Sequence, residues 1–549
     1  MRDGHKSDYA RMLIKEYEFL DQLSGHWNKT YEQVAARIWP EYAGFAQLQG
    51  TVRTPGVQKT TEMIDATGAI ALQRFSAVVN SLLTPESQKW HFLSPSDKTL
   101  KRHRSVREYF EAWTEILFDY RYQAISNFTG QKAIGYMALG AFGTDVMYTD
   151  RLDHFGQRGL RYKSVPVFHT VMKDNHQGVV DTVYRKFFYT ARQAVQKFGE
   201  AALPKKILED AKDKKRSEKE HWFIHCVGPR EDYEQGRLDQ KGMRYAETYV
   251  TVTEPSVVQE AGYNVFPYSV GRYIQAPGES RGRSPAMLAL PSLKTLNEEK
   301  KTILKQGHKA VDPVMLIADD GVMDTASIRP GAFISGGMSP DGRPLVGTLP
   351  VGNVALGHEM MTMEKEIIND AFLVSLFQIL VETPQMTATE VVERTREKGI
   401  LLAPTIGQQN AALGQLIERE IDTLAQQGIG PEMPAILREA AGEYTIVFDS
   451  PLTRMAKAGE ASGFMQTVDW ATEKAAAIGR PEILDPVNWE VAIPELLENR
   501  NVPLRWINSQ DKIAALAQGR AQAAQQQQMI EAAPAMSAMV KSAMAAKPA

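Results

Sequence analysis

The sequence predicts an α+β fold that is mainly helical and divided into several domains, and three observations support that prediction. Apolar residues recur at helical spacing over long segments before Ser126 and again after Pro285. Between Gly140 and Val270 the pattern changes to short β-branched and aromatic runs, which are typical of strands. At 549 residues, the chain is also longer than the roughly 250 to 300 residues at which a single core stops growing. We therefore expect several domains.

Helical patterns open the chain, and proline or glycine signals close them. The predicted helices cover Asp8–Leu23, Lys29–Trp39 before Pro40, Thr60–Leu83 before Thr84-Pro85, and about Asp97–Ser126.

Strand-like runs dominate the middle of the chain. Examples are Phe142–Tyr148, Lys163–Val167, Val179–Tyr189, Trp222–Val227 and Ala246–Val252, with one helix at Ala191–Phe198. The densely charged run Lys205–Glu220 is expected to be a solvated helix or a mobile loop.

Two long helices then flank an insert that is rich in turn residues. The first runs from Pro285 to about Ala310 and ends at Asp312-Pro313, and the second covers about His358–Val381. The short apolar runs between them are Val314–Ala318, Ala332–Ile334 and Leu345–Val346. This arrangement predicts a hairpin that projects from a body.

Helices are also predicted for the remainder of the chain. They cover Ala388–Gly399 and Gln408–Gly428, with an interruption around Pro404, and then most of Ala458–Leu516 after a strand at Tyr444–Phe448. The low-complexity segment beyond Leu516 is expected to be flexible or conditionally helical.

Composition excludes several classes of protein. Apolar residues make up 43% and charged residues 23% of the chain, as in globular domains. A net charge of -3 argues against a protein that wraps nucleic acid over its whole surface. The single cysteine, Cys226, excludes an intrachain disulfide and favours assembly in a reducing cytoplasm. Because no apolar run approaches the roughly 20 residues that a bilayer requires, we expect no membrane partner.

Motifs for catalysis or cofactor binding are not apparent. The dipeptide Gly-Lys of a P-loop does not occur, and the glycines of Gly130–Gly143 fit a close-packed helix or a turn before a strand. The best metal candidate is His221, His225 and Cys226, but a fourth ligand is missing and ordinary strand residues are favoured. We expect no catalytic residues, no metal, no cofactor and no enzymatic activity.

Two blocks of sequence carry a resemblance to a known family. In FSAVVNSLLTPESQKWHFL, Phe75–Leu93, an apolar helix face with Phe75, Val78, Val79 and Leu82 stops at Thr84-Pro85 before Trp90 and Phe92. The second block, GRSPAMLALPSLKTLN, covers Gly282–Asn297. Both blocks resemble the portal, or head-to-tail connecting, proteins of podovirus-type phages, and the order of elements is similar from about Asp8 to Leu516.

The resemblance implies a domain organisation. Its parts are an N-terminal wing (1–283), a first stem helix (284–310), a clip (311–357), a second stem helix (358–382), a tunnel loop with the return to the wing (383–457), a helical crown (458–516) and the low-complexity tail (517–549).

The resemblance also implies a structural role in the virion. Such proteins form a ring, typically a dodecamer, around a DNA channel at the unique vertex between capsid and tail. They are assembled in the host cytoplasm and serve genome packaging into the procapsid and ejection on infection. The implied partners are copies of the chain itself, double-stranded DNA, the terminase large subunit, tail adaptor proteins, and the major capsid and scaffolding proteins.

Candidate channel-facing residues follow from charge spacing and from the resemblance. Lys294, Lys301, Lys305 and Lys309 recur at spacings of seven, four and four, so they form a basic stripe on a helix, largely separate from an apolar face with Leu293, Leu296, Ile303 and Leu304. In a ring each lysine would become a belt of charge facing DNA. Alternatively, the stripe is solvated or pairs with acids of a neighbouring subunit. Gln385 and Thr387 are further channel candidates, near the tunnel loop.

Candidate partner contacts lie in the insert. Its apolar runs would form strands too short to be stable alone, so a neighbouring subunit or a docked partner is expected to complete them. The residues singled out are Phe333, Ile334, Arg343, Leu345 and Val346.

Two other classes of function remain as alternatives. A terminase ATPase or nuclease would need a P-loop lysine and a carboxylate cluster, and the first is missing. Another virion structural protein, either a scaffold or an internal core protein, is the runner-up, although a scaffold should lack so clear an α/β middle.

Overall fold

The computed structural model describes most of the chain. The described residues are 3–44, 62–97, 99–152, 156–313, 315–317, 338–344, 346–349, 354–374, 388–440, 442–449, 467–475 and 477–480, with short stretches between 485 and 523. They belong to two compact units. The first unit covers Met1–His91, Glu115–Gly430 and Phe448–Ala456, and the second covers Phe92–Thr114, Pro431–Val447 and Lys457–Ala549.

The described architecture mixes helices and strands, as the sequence predicts. The helices are α1 (Asp3–Leu23), α2 (Gly25–Ile38), α3 (Thr67–Leu83), α4 (Arg104–Arg121), α5 (Phe128–Phe142), α6 (Ala191–Phe198), α7 (Lys205–Lys212), α8 (Pro285–Val311), α9 (Val354–Ala371), α10 (Ala388–Gln426) and α11 (Ala435–Glu439). None of the helices among the described residues is both long enough and apolar enough to cross a bilayer.

Strands fill the region between α5 and α8. They are β2 (Thr144–Arg151), β3 (Leu160–Ser164), β4 (Thr170–Asp174), β5 (Val180–Thr190), β6 (Glu220–Pro229), β7 (Tyr245–Thr251), β8 (Ser256–Tyr263), β9 (Tyr268–Arg272), β10 (Ile274–Gln275) and β11 (Gly282–Arg283); β1 (His91–Pro95), β12 (Met315–Ile317), β13 (Val346–Thr348) and β14 (Tyr444–Phe448) lie outside it.

Two antiparallel sheets organise the first unit. One has the order β3-β2-β9 and the other β4-β5-β6-β7-β8. Side chains of β6 alternate between the two faces of the larger sheet: Ile224 and Cys226 pack with Tyr17 of α1, whereas Phe223 packs with α6 and α7. The larger sheet is therefore covered by helices on both faces.

The largest core of the first unit lies between helices and the smaller sheet. It joins α2, α3, α5 and α8 to β2 and β9, and includes Tyr31, Phe75, Phe142, Tyr268 and Leu293. This core fixes α8 to the body of the unit.

The charged run after α6 is more ordered than its composition suggests. Its first half forms α7, in which Ile207 and Asp210 are buried. Asp210 forms ion pairs with Arg216 at 3.2 Å and with Lys219 at 3.0 Å. A solvated helix describes α7 only in part, because one face packs on the sheet.

The structure moves some predicted helix boundaries. α3 begins at Thr67 rather than near Thr60, and just before it Asp65 Oδ1 accepts a hydrogen bond from Thr67 N, the first helical residue, at 2.8 Å. α10 is continuous over 39 residues, so the predicted interruption at Pro404 is wrong. A proline removes only one helical hydrogen bond. In addition, the second half of α10 is anchored by buried Leu413, Leu416 and Ile417.

The two long helices of the predicted hairpin are present as α8 and α9. α8 ends at Val311 before Asp312, as predicted, while α9 begins at Val354 and ends at Ala371. Leu373 has φ 59, a left-handed conformation that the helix cannot continue through. The predicted continuation to Val381 lies largely outside the described residues.

Candidate functional site

The second motif block forms the start of α8 and its attachment to α5. Ser284 caps the helix: its Oγ accepts a hydrogen bond from Met287 N at 3.0 Å and donates one to Ala141 O at 2.9 Å. Pro285 occupies the first helical position, where its fixed φ is favourable. The Ser-Pro pair therefore sets both the start and the position of α8.

Two glycines allow the backbones around this start to touch. Gly282 N donates to Thr144 Oγ1 at 2.9 Å, and a Cβ on Gly282 would lie 2.2 Å from Gly143 O. Gly143 itself has φ 74, which favours glycine at the end of α5. Larger residues at either position would separate α8 from α5 and β2.

Asn297, the last residue of the motif block, connects α8 to the segment before α3. Its Oδ1 accepts hydrogen bonds from Ile64 N and Asp65 N, both at 2.9 Å, and its Nδ2 donates to Leu293 O at 2.9 Å. Because Asn297 is buried, these bonds have no competition from water.

Asp65 links both long helices to the body. Lys300 of α8 donates to its Oδ2 at 2.8 Å, and Lys365 of α9 lies 4.0 Å from the same oxygen. Burial alone would raise the pKa of Asp65, but hydrogen bonds from Lys300 and Thr67 hold that pKa below its usual value. The carboxylate of Asp65 therefore stays charged and attaches α8 and α9 to the segment before α3.

α8 and α9 pack against each other along a narrow seam. A Cβ on Gly357 would lie 2.8 Å from the side chain of Ile303, so glycine permits the close approach. Farther along, Glu299 faces Glu364, and burial together with the Glu364 charge raises the pKa of Glu299. These contacts fix the register of the two antiparallel helices.

The lysine stripe lies on the exposed side of α8. Lys294 donates to Gln33 Oε1 of α2 at 2.7 Å, and Lys301 lies 3.7 Å from Glu298. Lys305 and Lys309 are exposed. On the predicted apolar face, Leu293 and Leu296 are buried and Ile303 is partly buried, but Leu304 is half-exposed.

α9 carries an exposed apolar stripe that was not among the predicted site residues. Its members recur at spacings of four, three and four and share one side of the helix: Leu356, Met360, Met363 and Ile367. Met363 is 65% exposed and Ile367 is 51% exposed. The spacing alone could have revealed the stripe, but only the structure distinguishes it from a buried face.

The predicted residues of the insert are only partly described. β12 pairs with β13 in an antiparallel ladder from Met315↔Thr348 to Ile317↔Val346, which joins the first and third apolar runs. Arg343 is exposed in a turn, where its carbonyl accepts from Ser339 N at 2.8 Å. Phe333, Ile334, Leu345, the Val346 side chain, Gln385 and Thr387 lie outside the described residues.

The metal candidate from the sequence is explained by ordinary packing. His225 Nδ1 lies 2.6 Å from Tyr268 Oη and its Nε2 lies 3.0 Å from Glu247, while His221 lies 3.2 Å from Asp210. Cys226 is buried on the opposite face of β6. Burial lowers the pKa of His225, which keeps the ring neutral between its two partners.

The first motif block also serves packing. Phe75 is buried in the main core, with Val79 and Leu82 packed beside it. Trp90 Nε1 donates to Tyr122 Oη at 3.0 Å, and Tyr122 in turn donates to Thr84 O at 3.1 Å. The helix, its Thr-Pro end and the tryptophan therefore form one hydrogen-bonded unit.

Comparison with known proteins agrees with the two motif blocks. The profile of a family described as "Bacteriophage head to tail connecting protein" matches residues 10–507. The chain is 27% identical over 485 residues to the portal protein of Salmonella phage epsilon15, covering 85% of this chain and 84% of that protein. It is 26% identical over 489 residues to the probable portal protein of Bordetella phage BPP-1, covering 86% and 84%. The resemblance expected from the sequence is confirmed, and the chain belongs to the bacteriophage head to tail connecting protein family.

Proposed function

We propose that this protein is a portal: a homo-oligomeric ring, a dodecamer, at the unique vertex between capsid and tail. Double-stranded DNA would pass through its channel during packaging and ejection. In this proposal residues 1–283 are the wing, α8 and α9 are the stem helices, 311–357 are the clip, 383–457 are the tunnel loop and the return to the wing, and 458–516 are the crown. The protein acts as a structural channel rather than as an enzyme.

The observation that carries the proposal is the exposed apolar stripe on α9. Four large apolar side chains on one side of a helix form an exposed apolar patch, and such patches mark surfaces that bind another protein. A surface that binds a different surface of an identical subunit repeats around an axis, and it closes into a ring when the rotation between subunits closes. The stripe therefore supports a subunit interface along the helix pair.

The insert between α8 and α9 supports the partners that we propose. β12 and β13 have three residues each, and Leu316 on β12 is exposed, so the ladder has little stability of its own. We propose that it docks the terminase large subunit and later the tail adaptor proteins. Deleting residues 332–347 should leave the first unit folded and abolish docking, and normal packaging by that deletion would refute the assignment.

The lysine stripe of α8 has two possible partners, DNA in the channel and a neighbouring subunit. The acidic residues on α9 favour the neighbouring subunit as the partner of the central lysines, Lys301 and Lys305. Contacts with the major capsid and scaffolding proteins, and assembly in the host cytoplasm, complete the proposal.

Negative-stain electron microscopy of the purified full-length protein tests the ring. We expect closed rings with a central hole and about twelvefold symmetry. An interface between two different surfaces of the same chain forms a ring when the rotation between neighbouring subunits is a whole fraction of a full turn. A persistent monomer or an open filament would overturn the proposal and favour a scaffold or an internal core protein. ATP hydrolysis by the purified chain would favour a packaging enzyme instead.

A further inference from the structure

We propose that the lysine stripe of α8 is a seam between subunits, in which Lys301 and Lys305 form ion pairs with Glu359 and Glu366 on α9 of the next subunit. This inference rests on the proposed ring and deepens it, because it names the two surfaces that meet. The occupant of each surface is a second copy of this chain.

The two sets of charges lie on opposite sides of the helix pair. At 3.6 residues per turn, Lys301 and Lys305 are each about 160° around α8 from Ile303, which touches Gly357. Glu359 and Glu366 are each about 160° to 180° around α9 from Gly357. One side of the helix pair is therefore basic and the other acidic. In a ring, where two different surfaces of neighbouring subunits meet, these two sides can face each other.

The register of the pair places these charges at matching heights. Ile303 lies level with Gly357, and Glu299 lies near enough to Glu364 for the Glu364 charge to raise its pKa. Since the helices are antiparallel, Glu359 lies at the height of the segment between Lys301 and Lys305. By the same register, Glu366 lies between Lys294 and Lys301.

Ring symmetry converts matching heights into contacts. In the proposed ring the helix pair runs along the ring axis. Rotation about that axis leaves height along it unchanged, so the acids of one subunit meet the lysines of the next at the level they already share. Acids and lysines then alternate along the seam, and each glutamate falls between two lysines. A shifted register would move each glutamate away from its lysines, so the charges also favour one register.

The charged side chains are available for such contacts. Lys301, Lys305, Glu359 and Glu366 are exposed. Within the described parts of the chain, Lys305, Glu359 and Glu366 form no ion pair, and the Lys301 pair with Glu298 is long at 3.7 Å.

The apolar stripe of α9 lies beside the acids and supports the same partner. Met360 and Met363 adjoin Glu359 and Glu366 on the helix surface. Lysine has a four-carbon stem that can cover apolar side chains while its ammonium group reaches a carboxylate. A lysine-bearing helix therefore fits this surface of α9.

Charge reversal in the full-length chain tests the seam. The variants are Lys301→Glu with Lys305→Glu, Glu359→Lys with Glu366→Lys, and all four changes together. The ring fraction is measured by mass photometry and negative-stain microscopy. We expect each double variant to need about tenfold or more higher concentration for assembly, because like charges then face each other. The fourfold variant should assemble as the unchanged chain does.

Mixing the two double variants gives a second readout. Each reversed α8 then matches a reversed α9, so rings should form from an equimolar mixture in which the two variants alternate. The control is Lys214→Glu with Lys215→Glu, the same change of charge at exposed positions after α7, which should leave the rings intact.

The outcomes separate the seam from the ring itself. If the unchanged chain forms rings and both double variants form them equally well, the seam is wrong and the ring stands; loss of packaging alone would then assign the lysines to DNA. If the double variants fail but neither the fourfold variant nor the mixture recovers assembly, the pairing is also wrong. If the unchanged chain forms no ring, the proposed function falls together with the seam.

Discussion

Arg121 at the end of α4 and Glu420 on α10 form an ion pair in which both side chains are 0% exposed. Arg121 Nε donates to Glu420 Oε1 at 3.0 Å, Arg121 Nη2 donates to Glu420 Oε2, and Tyr162 Oη donates to Oε1 at 2.5 Å. The guanidinium also lies 4.7 Å from the centroid of the Trp90 ring. Residues 299 apart in sequence are thereby fixed together, which ties α10 to the body of the first unit.

Removing one partner of this pair should destabilise the first unit strongly. Glu420→Ala leaves a buried guanidinium without its counter-charge, and we expect the free energy of unfolding to fall by about 3 to 5 kcal/mol. Arg121→Met combined with Glu420→Leu should recover most of that loss, because no charge remains buried. Urea unfolding followed by tryptophan fluorescence measures both.

A matched control for this prediction lies in the same unit. Glu218→Ala removes an exposed pair with Arg192 and should change the free energy of unfolding by less than about 1 kcal/mol. Equal losses for Glu218→Ala and Glu420→Ala would show that burial of the Arg121 pair contributes nothing.

His91 should make the stability of the first unit depend on pH. Burial and the neighbouring Arg121 charge hold the pKa of His91 well below its usual value, so the folded protein keeps the ring neutral. The unfolded chain takes up a proton below about pH 6.5, so stability is present above that pH and is lost as pH falls, by about 1.4 kcal/mol per unit.

The test compares slopes rather than absolute stabilities. His91→Gln does not titrate, so between pH 6.5 and 5 its free energy of unfolding should fall less steeply, by one proton's contribution. His221 and His225 have lowered pKa values too, but they contribute equally to both proteins. Parallel slopes would contradict a neutral, buried His91.

Local sequence signals predicted the elements that carry their own pattern. β5 and β6 were predicted because they contain runs of β-branched and aromatic residues, and α6 was predicted over Ala191–Phe198, where the structure adds a cap by Thr190. β8 and β9 were missed: glycine and polar residues dilute their pattern, and the neighbouring strand and α10 supply much of the packing.

The candidate site likewise contains features that the sequence predicts and features that it does not. The lysine stripe could be read from one helix, because it depends only on spacing. The facing acids could not, because their height relative to the lysines depends on where Ile303 meets Gly357, a contact between distant segments. Likewise, Arg121 and Glu420 have no local signal that would pair them.

Gly143 should tolerate substitution much less than another glycine with the same backbone conformation. Gly143 has φ 74 and Gly178 has φ 77, so alanine at either position costs about 1 to 2 kcal/mol in backbone strain. A Cβ at Gly143 would also lie 2.3 Å from Gly282 O, whereas nothing lies within 4 Å at Gly178. We expect Gly143→Ala to be the more destabilising by at least about 1 kcal/mol in thermal unfolding, and equal effects would contradict the close α5–α8 junction.

Asn297 should contribute to stability through its carbonyl oxygen. Asn297→Ala leaves the buried amides of Ile64 and Asp65 without an acceptor, and we expect a loss of about 2 to 4 kcal/mol in the free energy of unfolding. Thr295→Ala on the exposed side of α8 is the control and should cost less than about 0.5 kcal/mol. Coincident urea transitions for the two variants would show that the connection to α3 is unimportant.

The apolar stripe of α9 should matter for assembly and not for folding. Met363→Ser with Ile367→Ser alters side chains that are already 65% and 51% exposed, so the thermal stability of the isolated subunit should hardly change. In a ring the same side chains would be covered, and each would contribute roughly 1 kcal/mol per interface through its apolar area. We therefore expect the variant to stay monomeric at concentrations where the unchanged chain forms rings, as judged by mass photometry.

Leu238→Ser is the control, because Leu238 is 103% exposed on the β6–β7 hairpin, away from the helix pair in sequence, and should leave rings intact. Rings of unchanged stability in the double variant would place the subunit interface on another surface.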